Sequence, residues 1–178
     1  TAAADLHGAA FNSPFTEFSL VLEMRATRRN SRARLYTHKP LAIYVPRKYV
    51  GGERLGRVRH KMDAVQRGHD EIELDWNRNY AVIYEWLKGI DASQAYRAGL
   101  LPREDLTALV LRAAGELDKK GFTVSDNKPQ HVIVRPNGDQ RLAKDRNGRP
   151  LYGLVDFELL KRTPEHEARL RAEKRQDY

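Results

Sequence analysis

Apolar residues in the first half of the chain recur at spacings that predict one helix and two strands. Ser13 and Pro14 signal the start of the helix, because serine is a favoured N-cap and proline is favoured at the first helical position. Four apolar residues follow at helical spacing: Phe15, Phe18, Val21 and Leu22. Two short apolar runs, residues 41–45 and 80–84, are typical of strands.

The second half of the chain begins with a longer predicted helix. Pro102 is placed to open this helix and Gly121 to end it. Between them runs one apolar stripe at helical spacing: Leu106, Leu109, Val110, Ala113 and Leu117. The stripe predicts that one face of the helix packs into a core.

Two further apolar strands with a polar hairpin between them follow this helix. The strands are predicted at residues 131–134 and 151–157. Two Asn-Gly pairs mark turns between them, at 137–138 and 147–148. A charged tail begins at Thr163, where a threonine followed by proline signals a helix start. We expect this last helix to be exposed to solvent.

Composition bounds the class of protein. A chain of 178 residues with 40% hydrophobic content can form one domain, or two small lobes that share a cleft. The sequence contains no cysteine, which excludes a disulfide framework and a thiolate metal site. No apolar run approaches the roughly 18 residues that a membrane span requires. We therefore expect a soluble, cytoplasmic protein.

The positive charge is concentrated in one segment. The net charge is +8, and residues 25–61 contain twelve Lys and Arg against one acid, Glu53. That segment carries a formal charge of +11 and the rest of the chain −3. Such a block is either a solvated face or a surface that binds nucleic acid, acidic lipid headgroups or a phosphorylated partner.

The candidate chemistry lies in residues 124–158. Asp126, Lys128 and His131 precede one predicted strand, and Asp156 comes near the end of the other. Two acids and a lysine at the ends of a hairpin outline a metal-phosphate site, since phosphoryl transfer needs a base, cations and rigid positioning. Each residue also has a structural interpretation: the acids as turn residues, the lysine as a surface residue and the histidine as a packing residue.

The order of these elements resembles the protein kinase-like superfamily, in an atypical form. The run V-S-D-N-K-P-Q-H at 124–131 is similar to the catalytic loop, and V-D-F-E at 155–158 is similar to the metal-binding D-F-G. The resemblance implies Asp126 as catalytic base, Lys128 near the transferred phosphate, and Asp156 with His131 as metal ligands. It also implies ATP and Mg²⁺ or Mn²⁺ as cofactors.

The implied fold is α+β with two lobes. Residues 1–87 would form an incomplete N-lobe, without glycine-rich-loop strands, and residues 88–178 a compact C-lobe. Residues 82–87 resemble the fifth strand and hinge, so the resemblance implies that the backbone of Glu85, Trp86 and Leu87 binds adenine.

The resemblance also implies roles for two more acidic residues, one in ribose binding and one in an ion pair. Asp91 falls where kinases often place a ribose ligand, although a helix start or a turn is the alternative. Glu17 has the spacing of the helix C glutamate that forms an ion pair, although the helix dipole alone favours a carboxylate there.

Several positions depart from the kinase pattern. Val124 and Ser125 replace the usual His-Arg, His131 stands where the second metal ligand is normally Asn, and Glu158 replaces glycine. Imidazole nitrogen suits Mn²⁺ better than Mg²⁺. No G-x-G-x-x-G loop and no V-A-I-K lysine occur in the sequence. We expect either a fragment of a longer polypeptide or a protein that binds phosphate without that half.

Three functions follow from these observations. The first is an ATP-dependent phosphotransferase whose acceptor, whether protein, sugar, lipid or small molecule, the motifs leave open. The second is a pseudokinase-like module that binds nucleotide or regulates a partner. The third is a basic domain that binds nucleic acid through residues 25–61.

Overall fold

The computed structural model describes residues 11–26, 35–48, 75, 78–139 and 141–176, which form an α+β fold. The helices are α1 (Pro14–Ala26), α2 (Ala92–Arg97), α3 (Arg103–Asp118) and α4 (Pro164–Gln176). The strands are β1 (Pro40–Tyr44), β2 (Ala81–Tyr84), β3 (Ile90–Asp91), β4 (Phe122–Val124), β5 (Val132–Val134), β6 (Tyr152–Leu154) and β7 (Leu160–Arg162). A 3₁₀ turn, Pro129–His131, precedes β5.

The strands form three small antiparallel sheets. β1 pairs with β2, β4 pairs with β7, and β5 lies between β3 and β6. Within the central sheet Ile133 lies opposite Gly153, and Val132 lies opposite Leu154. This register brings the start of β5 next to the end of β6, where the candidate site residues lie.

One apolar core joins both halves of the chain. Many of its buried members come from α1, α3, the central sheet, β7 and the segment before β7: Leu20, Val21, Met24, Leu109, Ala113, Leu117, Val132, Val134, Phe157 and Leu160. The Asn12 side chain also donates to the carbonyl oxygens of Phe157 and Leu160, at 3.3 and 2.8 Å. The first helix is therefore anchored to the second half of the chain. The division into lobes at residue 88 stays a prediction.

Local chemistry sets the helix ends close to where the sequence predicts them. The Ser13 hydroxyl accepts a hydrogen bond from the Thr16 amide at 3.1 Å, which makes it the predicted N-cap. Pro102 is the N-cap of α3 rather than its first residue. Gly121 has φ +83°, and a Cβ there would lie 2.8 Å from the His166 side chain. That position requires glycine on both grounds.

The polar hairpin is a meander of two successive tight reversals. Asn137 N donates to Arg141 O at 2.8 Å, and Asp145 N donates to Arg149 O at 2.8 Å. Both Asn-Gly pairs lie at these reversals, as predicted. The strand predicted at 151–157 is wrong beyond Leu154, because Asp156 adopts φ +66° and cannot continue a strand. His131 likewise belongs to the 3₁₀ turn rather than to β5.

The expectation of a fully exposed C-terminal helix is wrong at its first turn. Thr163 is 7% exposed and His166 only 5% exposed. Burial is tolerated because the His166 Nε2 atom lies 2.7 Å from Glu23 Oε1, and Arg162 pairs with the same carboxylate at 2.6 Å. This cluster fastens α4 and β7 to α1.

The basic segment at residues 25–61 lies largely outside the described residues, which exclude 27–34 and 49–61. The expected loop at residues 1–12 is described only from Phe11 onward. Among the described helices, none is long and apolar enough to cross a membrane.

Candidate functional site

The loop between β4 and β5 holds the first three candidate residues in a tight backbone turn. Lys128 N donates to Asp126 O at 3.1 Å, and His131 N donates to Lys128 O at 3.0 Å. Lys128 has an extended backbone (φ −104°, ψ 151°), the conformation favoured before a proline. Pro129 then opens the 3₁₀ turn. This local geometry fixes where the three side chains start.

Asp126 and Lys128 form an ion pair. Lys128 Nζ lies 2.6 Å from Asp126 Oδ2, with the lysine side chain 51% exposed and the aspartate 20% exposed. An ion pair at this exposure contributes little to stability, roughly 0–1 kcal/mol. Its lysine can therefore exchange the carboxylate for another anion at low cost.

His131 connects Asp126 to Asp156. Its Nδ1 atom lies 3.0 Å from the Asp126 backbone oxygen, and its Nε2 atom lies 3.2 Å from Asp156 Oδ2. A carbonyl oxygen only accepts hydrogen bonds, so Nδ1 must carry a proton. In a neutral imidazole Nε2 then presents a lone pair to the carboxylate.

A lone pair 3.2 Å from a carboxylate oxygen places two acceptors opposite each other, an arrangement that a bound cation would stabilise. A divalent metal ion is one such cation. Metal-binding histidines in proteins usually donate their other ring N–H to a carbonyl or carboxylate, and His131 has this arrangement. The donor set of one imidazole nitrogen and one carboxylate thus fits a divalent metal.

The metal would need further ligands. In the part of the chain that the structure describes, no three His, Cys, Asp or Glu side chains gather closely enough to hold an ion alone. Ions that accompany nucleotides are usually held by one or two carboxylates, with phosphate and water completing the shell. A cavity of about 20 Å³, bordered by Asp126, His131 and Asp156, is large enough for one water or ion.

Asp156 has an uncommon backbone. Its φ of +66° lies in the left-handed region, which aspartate visits more readily than most residues. The preceding amide, Val155 N, donates to His131 O at 3.0 Å, which ties this segment to the 3₁₀ turn. Left-handed residues of this kind cluster at functional sites. The turn directs the Asp156 carboxylate to His131 and leaves its side chain 47% exposed.

The hinge-like residues follow β2. Glu85 N donates to Lys39 O at 2.8 Å, so this amide is already engaged. Trp86 is 85% exposed. Leu87 approaches Gly153 so closely that a Cβ on the glycine would lie 2.9 Å from its Cδ1 atom. Adenine binding by these residues stays a prediction.

Glu17 lies on α1 and is 8% exposed. Its Oε1 atom accepts a hydrogen bond from the Tyr84 hydroxyl at 2.5 Å. Burial and this hydrogen bond raise the pKa of Tyr84 above its usual range. The predicted helix C glutamate thus contacts the strand that precedes the hinge.

Asp91 caps a helix. Its Oδ1 atom accepts from Gln94 N at 2.8 Å, which makes it the N-cap of α2. This is the structural alternative that its position in the sequence allowed. Ribose binding by Asp91 stays a prediction.

His38 lies beside the site and no local sequence signal indicated it. Its ring stacks on Tyr84 with centroids 3.7 Å apart, and it tilts against Phe157 at 5.3 Å. Burial, followed by the charge of Arg25, lowers the pKa of His38 to about 4. It is therefore neutral at physiological pH and acts as a packing group between β2 and the Asp156 segment.

Comparison with known proteins gives weak structural similarity only. No protein-family model and no curated protein matches the sequence. A 2.2 Å crystal structure of WbdD is 19% identical, with a TM-score of 0.41 over 89% of this chain and 26% of that one. A medium-resolution structure of the bifunctional kinase-methyltransferase WbdD is 18% identical, with a TM-score of 0.39 and the same two coverages.

Monomeric WbdD is also similar, at 18% identity and a TM-score of 0.41 over 90% of this chain and 29% of that one. The chain thus spans less than a third of the solved chains that it resembles. A likeness at this level does not carry function from one protein to another.

Proposed function

We propose that the chain is an ATP-dependent phosphotransferase of two-lobed kinase fold that transfers phosphate to a hydroxyl acceptor. The observation that supports it best is the contact of the His131 ring with both aspartates: Nδ1 lies 3.0 Å from the Asp126 backbone oxygen, and Nε2 lies 3.2 Å from the Asp156 carboxylate. The resemblance of residues 124–131 and 155–158 to the kinase catalytic loop and D-F-G motif supports the same function.

Asp126 is the proposed base. Its carboxylate is 20% exposed, and the backbone turn at Lys128 fixes the loop that carries it. It would orient the acceptor hydroxyl and accept its proton as the oxygen attacks phosphorus. Lys128, half exposed, would leave Asp126 and pair with the phosphate that is being transferred.

Asp156 and His131 are the proposed metal ligands. A divalent ion held there would neutralise phosphate charge on ATP. The His131 Nδ1–H would keep its bond to the Asp126 carbonyl, so that its Nε2 atom stays oriented toward the ion. The chain's own contribution is thus positioning, since phosphoryl transfer depends mainly on placement and charge.

The test measures nucleotide binding and then turnover. ATP with Mg²⁺ or Mn²⁺ should raise the thermal midpoint of the protein, and ATP hydrolysis or transfer should follow. Asp126→Asn and Asp156→Asn should each reduce turnover by about 1,000-fold or more, since both groups act together. The matched control is Asp118→Asn, an exposed aspartate at the end of α3, which should keep full activity. Unchanged turnover in both site variants, with all three proteins folded, refutes the proposal.

A second candidate is a pseudokinase-like module that binds nucleotide without turnover. The observation that favours it is the 2.6 Å ion pair of Lys128 with Asp126, which occupies the proposed base. Stabilisation by ATP and metal in the absence of any hydrolysis or transfer selects this module over the enzyme.

A further inference from the structure

An open cleft lies where β5 ends and β6 begins, at the opposite end of this strand pair from the candidate site. Its volume is about 1430 Å³, and it is bordered by the meander of residues 135–151, the segment after β2 and one face of α3. Pockets for small ligands are typically about 300–1,000 Å³. The cleft is therefore suited to an extended ligand rather than to one compact molecule.

Two arginines in this cleft form contacts with other residues of the protein. Arg149 Nη2 lies 2.9 Å from Asp145 Oδ2, and Arg149 Nε donates to the same oxygen at 3.0 Å. Arg112 donates to the Pro150 carbonyl and lies over the Tyr152 ring, 4.9 Å from its centroid. These contacts hold the two arginine side chains in the walls of the cleft, so they are less available to pair with a ligand.

Four more cations point to an anionic ligand. All four are exposed, and within the described ranges none of them forms an ion pair: Lys88, Arg135, Lys144 and Arg146. The two acids of the cleft do not compensate them, because Asp145 is paired with Arg149 at 2.9 Å and Glu116 with Arg112 at 3.9 Å. The cleft thus has an excess of uncompensated positive charge.

Exposed aromatic surface accompanies this charge. Trp86 is 85% exposed and Tyr36 is 60% exposed, and both border the cleft together with Leu151 at 49%. Large exposed aromatic rings beside free cations form platforms on which planar rings stack. An acidic protein segment would satisfy the cations but would leave these platforms without a matching partner.

We propose that this cleft binds single-stranded nucleic acid. Its phosphates would pair with the four free cations, and its unstacked bases would lie on Trp86 and Tyr36. A duplex is a poor ligand because its bases are already stacked on one another. RNA and DNA share the required chemistry. Neither carboxylate of the phosphotransferase site borders the cleft, but Trp86 and Leu87 of the predicted adenine-binding segment do. Strand binding is therefore measured without ATP or metal, so that its outcome is separate from that of the phosphotransferase proposal.

The first experiment measures fluorescence anisotropy of labelled oligouridine and oligothymidine, each of about 12 nucleotides, a length within the usual range for single-strand binders. Wild-type protein should bind both with an affinity that falls as salt rises. Four phosphate contacts predict a slope of log affinity against log salt of about −3 for a single strand. The variant Lys144→Glu with Arg146→Glu should weaken binding at least tenfold and reduce the slope to about −1.4.

The matched control is Arg97→Glu with Arg103→Glu. Both arginines are exposed and lie outside the cleft, so this pair makes the same change in net charge elsewhere. It should retain nearly wild-type affinity. Equal loss in the two double variants would mean that net charge alone attracts the strand, and this would overturn the proposal. An absence of saturable binding in the wild type, or equally tight binding of a duplex of the same length, would also overturn it.

The second experiment detects stacking directly. The chain has two tryptophans, so Trp76→Phe leaves Trp86 as the sole reporter. Binding of either strand should quench its fluorescence. Trp86→Leu in the otherwise wild-type chain should weaken binding roughly 5- to 100-fold, the range for losing one base–aromatic stack. Tight binding with neither quenching nor loss in Trp86→Leu contradicts the stacking geometry. A difference between the uridine and thymidine strands identifies which nucleic acid the cleft prefers.

Discussion

Two histidine–carboxylate contacts in this protein have opposite hydrogen-bond polarity. At His166, Arg169 Nη2 lies 2.7 Å from Nδ1, and arginine can only donate, so Nδ1 accepts and Nε2 donates to Glu23 at 2.7 Å. At His131, Nδ1 donates to a carbonyl, and Nε2 of a neutral ring would present a lone pair to Asp156. In the first ring both nitrogens have a hydrogen-bond partner as a neutral group, whereas in the second a bound cation would be needed to satisfy Nε2.

The surroundings of the two contacts match this difference. The His166 side chain is 4% exposed, and Glu23 also binds Arg162 through 2.6 and 3.0 Å contacts. Burial raises the pKa of Glu23, but the hydrogen bonds from Arg162 and His166 outweigh it, so the net pKa is lowered. Asp156 by contrast is 47% exposed. The first contact is built for stability, and the second is accessible to a ligand.

Replacing one basic residue near each histidine should give the largest expected difference: Lys128 near His131 mainly affects turnover, and Arg162 near His166 mainly affects stability. Under the proposed function, Lys128→Met should reduce phosphotransferase turnover by about 100- to 1,000-fold, as expected if Lys128 stabilises transition-state charge. It should change the free energy of unfolding by less than about 1 kcal/mol, because the pair is exposed. Arg162→Met should lower that free energy by about 2 kcal/mol, because it leaves the partly buried Glu23 without its main partner.

Denaturant unfolding and steady-state kinetics on the same preparations check this contrast. Arg162→Met, assayed well below its midpoint, should retain turnover within a few-fold of the wild type. Arg162→Lys, which keeps the charge but loses the bidentate geometry, should fall between the wild type and Arg162→Met in stability. A large stability loss in Lys128→Met, with turnover intact, would reverse the assignment of the two clusters.

Changing the ring at His131 should alter metal preference. Mg²⁺ favours oxygen ligands, whereas imidazole nitrogen suits Mn²⁺. We expect wild-type protein to bind nucleotide more tightly with Mn²⁺ than with Mg²⁺, and His131→Asn to weaken the Mn²⁺-supported binding by about 10- to 100-fold. Titration of nucleotide at fixed metal measures both affinities. Identical dependence on the two metals in the wild type and the variant would exclude His131 from the proposed metal site.

Local chemistry explains which parts of this structure the sequence predicted. Ser13 caps α1, and the two Asn-Gly pairs lie at reversals, because neighbouring backbone atoms decide both features. The candidate site residues came together because their motifs stand at the ends of two strands. Pairing of Val132 with Leu154 then brings Asp156 to His131.

Long-range contacts explain what the sequence could not predict. The burial of His166 depends on Glu23, which is 143 positions away, and no pattern around Thr163 indicates that partner. Asp156 ended the predicted strand early because its left-handed backbone serves the turn rather than the sheet. The basic aromatic cleft likewise assembles from four separate segments, none of which indicates a binding surface by its own sequence.

His38 extends the comparison to a third ring, one whose Nε2 atom is buried without a hydrogen-bond partner among the described residues. Its pKa is lowered from 6.5 to about 4, first by burial and then by Arg25. Above pH 6.5 both the folded and the unfolded protein hold a neutral ring. Between pH 6.5 and 4 only the unfolded chain takes up the proton, so stability falls as the pH falls.

His38→Phe keeps the stack on Tyr84 and cannot titrate, so its thermal midpoint should exceed that of the wild type at pH 5 by about 2–4 °C for each kcal/mol recovered. The difference between the two midpoints, measured from pH 7.5 down to 4, isolates His38 from the carboxylates, which titrate alike in both proteins. A difference that stays constant across that range would mean that His38 takes up its proton equally in both states and that its burial has no electrostatic consequence.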